Sequence, residues 1–185
     1  MLKKIALTLF AVVVLAVAGL VVAAALAPDT FRVARSVTVN APPDRVFPLI
    51  NSFQQMKTWS PYETKDPGMK RTFSGPAAGA GAAYAWDGNG DVGAGVLTID
   101  RSEPDKKVVM TLAMKRPFEG SNTIVFSLVP KGAATEVTWD MSGRQPFLAK
   151  VMCQALGLFV SMDEMIGRDF EAGLASLKAM AERPF

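Results

Sequence analysis

Between Tyr84 and Gly95 the chain reads YAWDGNGDVGAG, and two kinds of chemistry compete for that stretch. Gly88, Gly90 and Gly93 have the G-x-G-x-x-G spacing of a dinucleotide-binding turn, while Asp87, Asn89 and Asp91 have the D-x-N-x-D opening of a calcium loop. A dinucleotide turn needs a helix that begins at its glycines, because the pyrophosphate rests on that helix N-terminus. Here the glycines lead into VGAGVLTID, a strand-like run without helical period. A calcium loop needs glycine at its sixth position and a bidentate glutamate at its twelfth, and those positions hold Val92 and Thr98. The stretch is therefore read as a hairpin in which Gly88, Asn89 and Gly90 supply positive φ where the chain reverses. Gly93 and Gly95, two apart on one strand face, allow a bulge, a sharp bend or the close approach of another element.

Other reactive constellations are scarce. Histidine is absent, which removes the usual general base, the usual metal ligand and every Ser-His or Cys-His nucleophile. Cys153 is the sole cysteine, so no internal disulfide forms. Acid/base work would fall to Asp, Glu, Arg or Tyr. Asp140 and Glu136 alternate with apolar neighbours and so point to solvent, and Glu164 and Arg168 make an i, i+4 pair of an exposed helix surface. The chain carries 20 basic and 17 acidic residues; without Lys3 and Lys4 the remainder has a net charge near +1. No basic stripe of the kind that neutralises phosphates is visible, so nucleic acid is not an expected partner. No cofactor is expected either.

The elements that must position these residues follow from period and breakers. From Ile5 to Ala27 the chain is free of charge and proline, long enough as a helix to cross a bilayer, with Lys3 and Lys4 before it. We read residues 1–28 as an uncleaved membrane anchor, with a removed signal peptide as the alternative; the small-residue end at Ala25–Ala27 imitates a cleavage site, but Pro28 follows it directly. Either way the domain of residues 29–185 is expected at the periplasmic or exterior side of a cell membrane.

Phe31, Val33, Val37 and Val39 alternate as a half-buried strand. Two short helices are expected at roughly Asp44 to Ile50 and Ser52 to Thr58, limited by Pro48 and Pro61. Six short runs from Met69 to Met141 then read as strands of an antiparallel meander. The period changes after Ser161: Met162, Ile166, Phe170, Gly173, Leu174 and Leu177 recur at steps that mark a long amphipathic helix. Ahead of it Phe147 to Val160 is apolar over a broad face. It fits the start of the last helix, a lid, a membrane-dipping element or a surface for a protein partner.

This order resembles the helix-grip fold of the START and Bet v 1-like (SRPBCC) superfamily, in particular its polyketide cyclase/dehydrase-like branch. The resemblance is carried by VTVNAPPDRVFPLINSFQQMKTWSPY (Val37 to Tyr62), YAWDGNGDVGAG (Tyr84 to Gly95), TEVTWDM (Thr135 to Met141) and DFEAGLASLKAMAE (Asp169 to Glu182). It implies an α+β fold, a seven-stranded antiparallel sheet wrapped around the long C-terminal helix. It also implies an internal cavity for a hydrophobic small molecule or lipid. On that fold the cavity would be lined by Trp59, Tyr62, Phe73, Tyr84, Trp86, Met110, Leu112, Met114, Phe126, Trp139, Met141, Met162, Ile166 and Phe170. The same spacings equally describe a filled core. The expected function is membrane-tethered ligand binding without catalysis. A polyketide cyclase/dehydratase-like enzyme and a protein-interaction module at the membrane are the alternatives.

Overall fold

The computed structural model describes residues 2–144, 147, 150, 151, 155 and 162–183. An apolar helix, α1 (Leu2–Leu26), is exposed along most of its length and is long and apolar enough to cross a membrane. Then come β1 (Thr30–Val39), the short helices α2 (Pro43–Ile50), α3 (Phe53–Met56) and α4 (Pro61–Lys65), and β2 (Lys70–Ser74). The meander continues through β3 (Ala83–Asp87), β4 (Ala94–Glu103), β5 (Lys107–Arg116), β6 (Gly120–Lys131) and β7 (Ala134–Arg144), and the last long helix is α5 (Met162–Ala181). The strands form one seven-stranded antiparallel sheet in the order β1-β7-β6-β5-β4-β3-β2, so the first strand returns to lie beside the last. With α5 held against one face, this is the helix-grip fold.

Most of the expected 147–160 segment lies outside the described residues; Phe147, Lys150, Val151 and Ala155 within it are helical. One element differs from expectation. Pro61 was expected to limit a helix and instead begins one, α4, because a proline at the first helical position loses no hydrogen bond and has its φ already set.

Period-2 alternation divides the sheet. On the convex face Ser36 and Thr138 share a hydrogen bond of 2.8 Å, Arg32 pairs with Asp140, and Lys131 pairs with Glu136. The concave face carries apolar cross-strand rows, of which Val33–Met141–Ile124–Met110–Ile99 is fully buried. Phe170, Leu174, Leu177 and Ala181 of α5 repeat at three- and four-residue steps and are buried against this face.

Arg35 shares the concave face and clamps α5. Its Nε donates to Glu171 Oε1 at 2.8 Å and its Nη2 to Asp163 Oδ2 at 2.8 Å. A side chain at Gly167 would run into that guanidinium, so the helix has glycine where the arginine crosses it. At the other end of α5 the Lys178 ammonium donates to the Thr38 carbonyl at 2.7 Å.

The bend of the sheet comes from its glycines. Gly95 lies beneath the Trp86 ring, where a Cβ would stand 2.6 Å from the indole, and register shifts follow at Ala94/Gly95 and Ile99/Arg101. The β3–β4 turn corrects one expectation. Positive φ falls on Gly93 (+64°), whereas Gly88 and Gly90 are absent from the positive-φ positions. The loop is organised by Asn89, whose Oδ1 accepts from the Asp91 amide at 2.8 Å, and Asp66 Oδ2 accepts from the Asn89 amide at 2.8 Å.

Candidate functional site

The concave face has two ends of different character. Near α2, α3 and the C-terminal half of α5 it is filled. Trp59 is buried with its Nε1–H donating to the Leu49 carbonyl at 2.8 Å, and its ring meets Phe126 and Trp139 edge-on at 6.0 and 5.8 Å. Trp139 stacks on Phe170 with centroids 4.1 Å apart and planes within 10°. Gly173 makes that stack possible, since a Cβ there would sit 2.8 Å from the Trp139 ring. Met110, Met141 and Phe126 complete the packing. One polar group is left over: the buried Trp139 Nε1–H has no hydrogen-bond partner among the described residues.

Toward the opposite end the apolar rows continue but burial does not. Phe31, Leu112 and Leu97 share a row with Asn122 and Gly143, and Met114 and Trp86 share the next with Gly95 and Gly120. Phe31, Leu97, Leu112, Met114, Asn122 and Trp86 are all half-buried. Ile166 of α5 is half-buried too, while the side chain of Met162 lies outside the described residues. The Asn122 carboxamide fills the space above Gly143, and no hydrogen bond from it to a described residue is found. At the β2 edge an aromatic ladder runs from Phe73 to Tyr84 (5.1 Å) to Trp86 (5.9 Å), with Phe53 against Tyr84. Trp86 is fixed by its Nε1–H donating to the Val92 carbonyl at 3.0 Å.

A polar network stands inside this ladder. Glu63 Oε1 accepts from the Tyr84 hydroxyl at 2.7 Å and Glu63 Oε2 from Arg71 Nε at 2.7 Å. The remaining Arg71 nitrogens donate to the carbonyls of Pro67, Met69 and Asp66. Burial, reinforced by the bond to Glu63, pushes the Tyr84 phenol well above its ordinary value and keeps it protonated. Tyr62 is raised by burial and then by the charge of Asp169, and its ring lies under the Lys65 ammonium at 5.4 Å. Glu63 escaped the sequence reading because α4 was not expected, and with it went the partner that draws Arg71 of β2 into the network. Phe31, Leu97 and Asn122 share the parity of Leu112 across the sheet and were within reach of the alternation.

Among the described residues no cluster of His, Cys, Asp and Glu is suited to a metal ion. A shallow groove of about 600 Å³ lies at the sheet end, between Thr30, Arg32, Thr123, Ser142 and Arg144. Most of its wall belongs to the polar convex face.

Residues 30–182 match the family model for polyketide cyclase/dehydrase and lipid transport proteins. The chain belongs to this family. No curated protein matches it. Among solved structures, the major latex-like protein 151 of Panax ginseng aligns with a TM-score of 0.60 at 14% identity, over 84% of this chain and 100% of that one. A protein from Chromobacterium violaceum aligns at 0.58 and 16% identity, over 85% of this chain and all of its own. The Aha1 dimer from Colwellia psychrerythraea gives 0.57 and 18%, over 82% and 96%. At such identities the neighbours establish the fold alone. Family and fold together make this a scaffold for hydrophobic ligands, and within it the half-exposed end of the concave face is the candidate site.

Proposed function

We propose that the protein holds a hydrophobic small molecule or lipid at the open end of its grip, tethered to a membrane by α1, and does not transform it. The observation that carries this reading is the pair of neighbouring rows that hold Leu97 and Leu112, and Met114 and Trp86. These large apolar side chains stay half-exposed on a concave face whose other end is fully packed. Apolar walls with a few polar groups are the usual make-up of small-molecule sites. Asn122, whose carboxamide has no hydrogen-bond partner among the described residues, is the polar group that would orient a ligand's oxygen.

Native mass spectrometry of the full chain extracted from its own membranes, followed by lipid analysis, tests the proposal. A recurring added mass supports it. A bare protein mass from repeated preparations, together with no binding of fluorescent lipid probes, overturns it.

A cyclase/dehydratase reading has one observation in its favour, the Tyr84 phenol donating to a carboxylate inside the grip. Against it, both Glu63 oxygens are engaged, one by Tyr84 and one by Arg71, so this carboxylate serves to fasten α4 to β2 and β3. Under the binding reading Tyr84→Phe retains the same ligand mass as wild type. A dehydratase variant would accumulate a ligand heavier by one water.

A further inference from the structure

The open end of the grip is also the end at which α1 enters the domain. Thr30 pairs with Arg144, Gly143 with Asn122, and Gly120 with Met114, so the start of β1, the end of β7 and the β5–β6 hairpin all lie at one edge of the sheet. Only Ala27, Pro28 and Asp29 separate α1 from β1. Fully extended, three residues span about 10 Å at most. The helix of 25 residues is about 37 Å long against a hydrocarbon core of about 30 Å, so little length remains for a stalk.

Lys150 removes what slack there is. It is 5% exposed, and its ammonium donates to the Ala27 carbonyl at 3.1 Å and to Asp29 Oδ1 at 2.7 Å. Ala24 is fully buried and Leu20 and Ala27 half-buried, all on one side of α1, so the domain covers the last turns of the helix there. Around this junction large apolar side chains face outward. Phe147 is 51% exposed, with its ring 5.9 Å from the Lys150 ammonium, and Phe118 at the hairpin tip is 36% exposed.

From this arrangement we infer that the anchored edge of the sheet docks on the bilayer surface, with Phe118 and Phe147 inserted at the headgroup level and Lys150 holding the domain in that pose. The inference rests on α1 being a membrane anchor. Its consequence is that the grip opens toward the lipid surface and exchanges its ligand there. Aromatic side chains on an otherwise polar edge suit the interface, where apolar groups are buried at the boundary between headgroups and chains.

The test uses the full chain in the Cys153→Ala background, carrying one new cysteine, Glu119→Cys beside Phe118 or Val129→Cys at the far end of β6. Each is labelled with an environment-sensitive fluorophore and reconstituted in vesicles of phosphatidylcholine and phosphatidylglycerol that contain nitroxide-labelled lipid. Loss of most of the fluorescence at 119 with none at 129 is expected, and Lys150→Met should restore part of the signal at 119. Retention of the protein through carbonate washing without quenching at 119 overturns the docking and leaves the anchor standing, as does equal quenching at both positions. Release by carbonate overturns the anchor itself and this inference with it. A partner protein as the true occupant of the face would give the unquenched result, because the vesicles contain none.

Discussion

Two ends of one concave face, built from the same strands and the same alternation, differ in what covers them. At the closed end Phe126, Trp139 and Phe170 lie between the sheet and α5 with glycine at position 173 to bring the layers together. At the open end Leu97, Leu112 and Met114 occupy equivalent inward positions and keep part of their surface accessible. An inward residue on a strand is thus a core residue or a ligand wall according to its neighbours across the gap, and the strand pattern is the same for both. The closed end supplies stability. The open end, relieved of that task, is where the proposed binding function has room.

Truncation separates the ends most sharply. Phe170→Ala should lower unfolding free energy by about 3–5 kcal/mol, because a fully buried aromatic leaves a cavity that the Trp139 stack cannot close. Leu112→Ala, half-buried, should lower it by about 1 kcal/mol. Urea unfolding of the full chain in detergent measures both, and equal losses would erase the distinction.

Adding volume gives a smaller but opposite pair of tests. Gly173→Ala places a methyl 2.8 Å from Trp139 and 3.0 Å from Pro61. Alanine for glycine within a helix contributes up to about 1 kcal/mol, yet overpacking costs about 1–3, and a Trp139 ring backed by Phe170 has little freedom to yield. A net loss is expected in the same unfolding experiment. Met114→Trp at the open end should leave stability within about 1 kcal/mol of wild type. It should also weaken binding of a fluorescent lipid probe roughly tenfold by occupying the site, and unchanged probe affinity would move the site elsewhere.

Much of this architecture was legible in the sequence. The strand parities, the 3.6-residue stripe of α5 and the absence of a dinucleotide turn all follow from residue type and spacing. The division of the candidate residues was not. Trp59, Phe126 and Trp139 lie in the closed end, and Leu112, Met114 and Trp86 in the open one, because the difference depends on long-range packing that no local period encodes. Glu63 was missed for a local reason: Pro61 can end one helix or begin another, and its role depends on the conformation of the residues after it. Arg35 is a third case. Its parity places it on the apolar face, where a charge is tolerated because Asp163 and Glu171 meet it from the helix.

That clamp gives the smallest predicted effect and a pH at which to see it. Asp163 lies in the first turn of α5, and the hydrogen bond from Arg35 holds its carboxyl below the ordinary value. A carboxylate with a depressed folded value stabilises the fold at any pH above its unfolded value, about 4, and loses that contribution as pH falls through the folded value. Arg35 stays charged throughout, so the whole change belongs to the carboxylate. Asp163 is largely exposed, which keeps the effect modest and sensitive to salt. Thermal midpoints of wild type and Asp163→Asn should differ by a constant amount above about pH 5 and converge as pH falls through the folded value of Asp163. A difference that persists unchanged in acid would show that the variant acts through something other than the lost charge, and Arg35 would then hold α5 through Glu171 and the Asp163 backbone carbonyl.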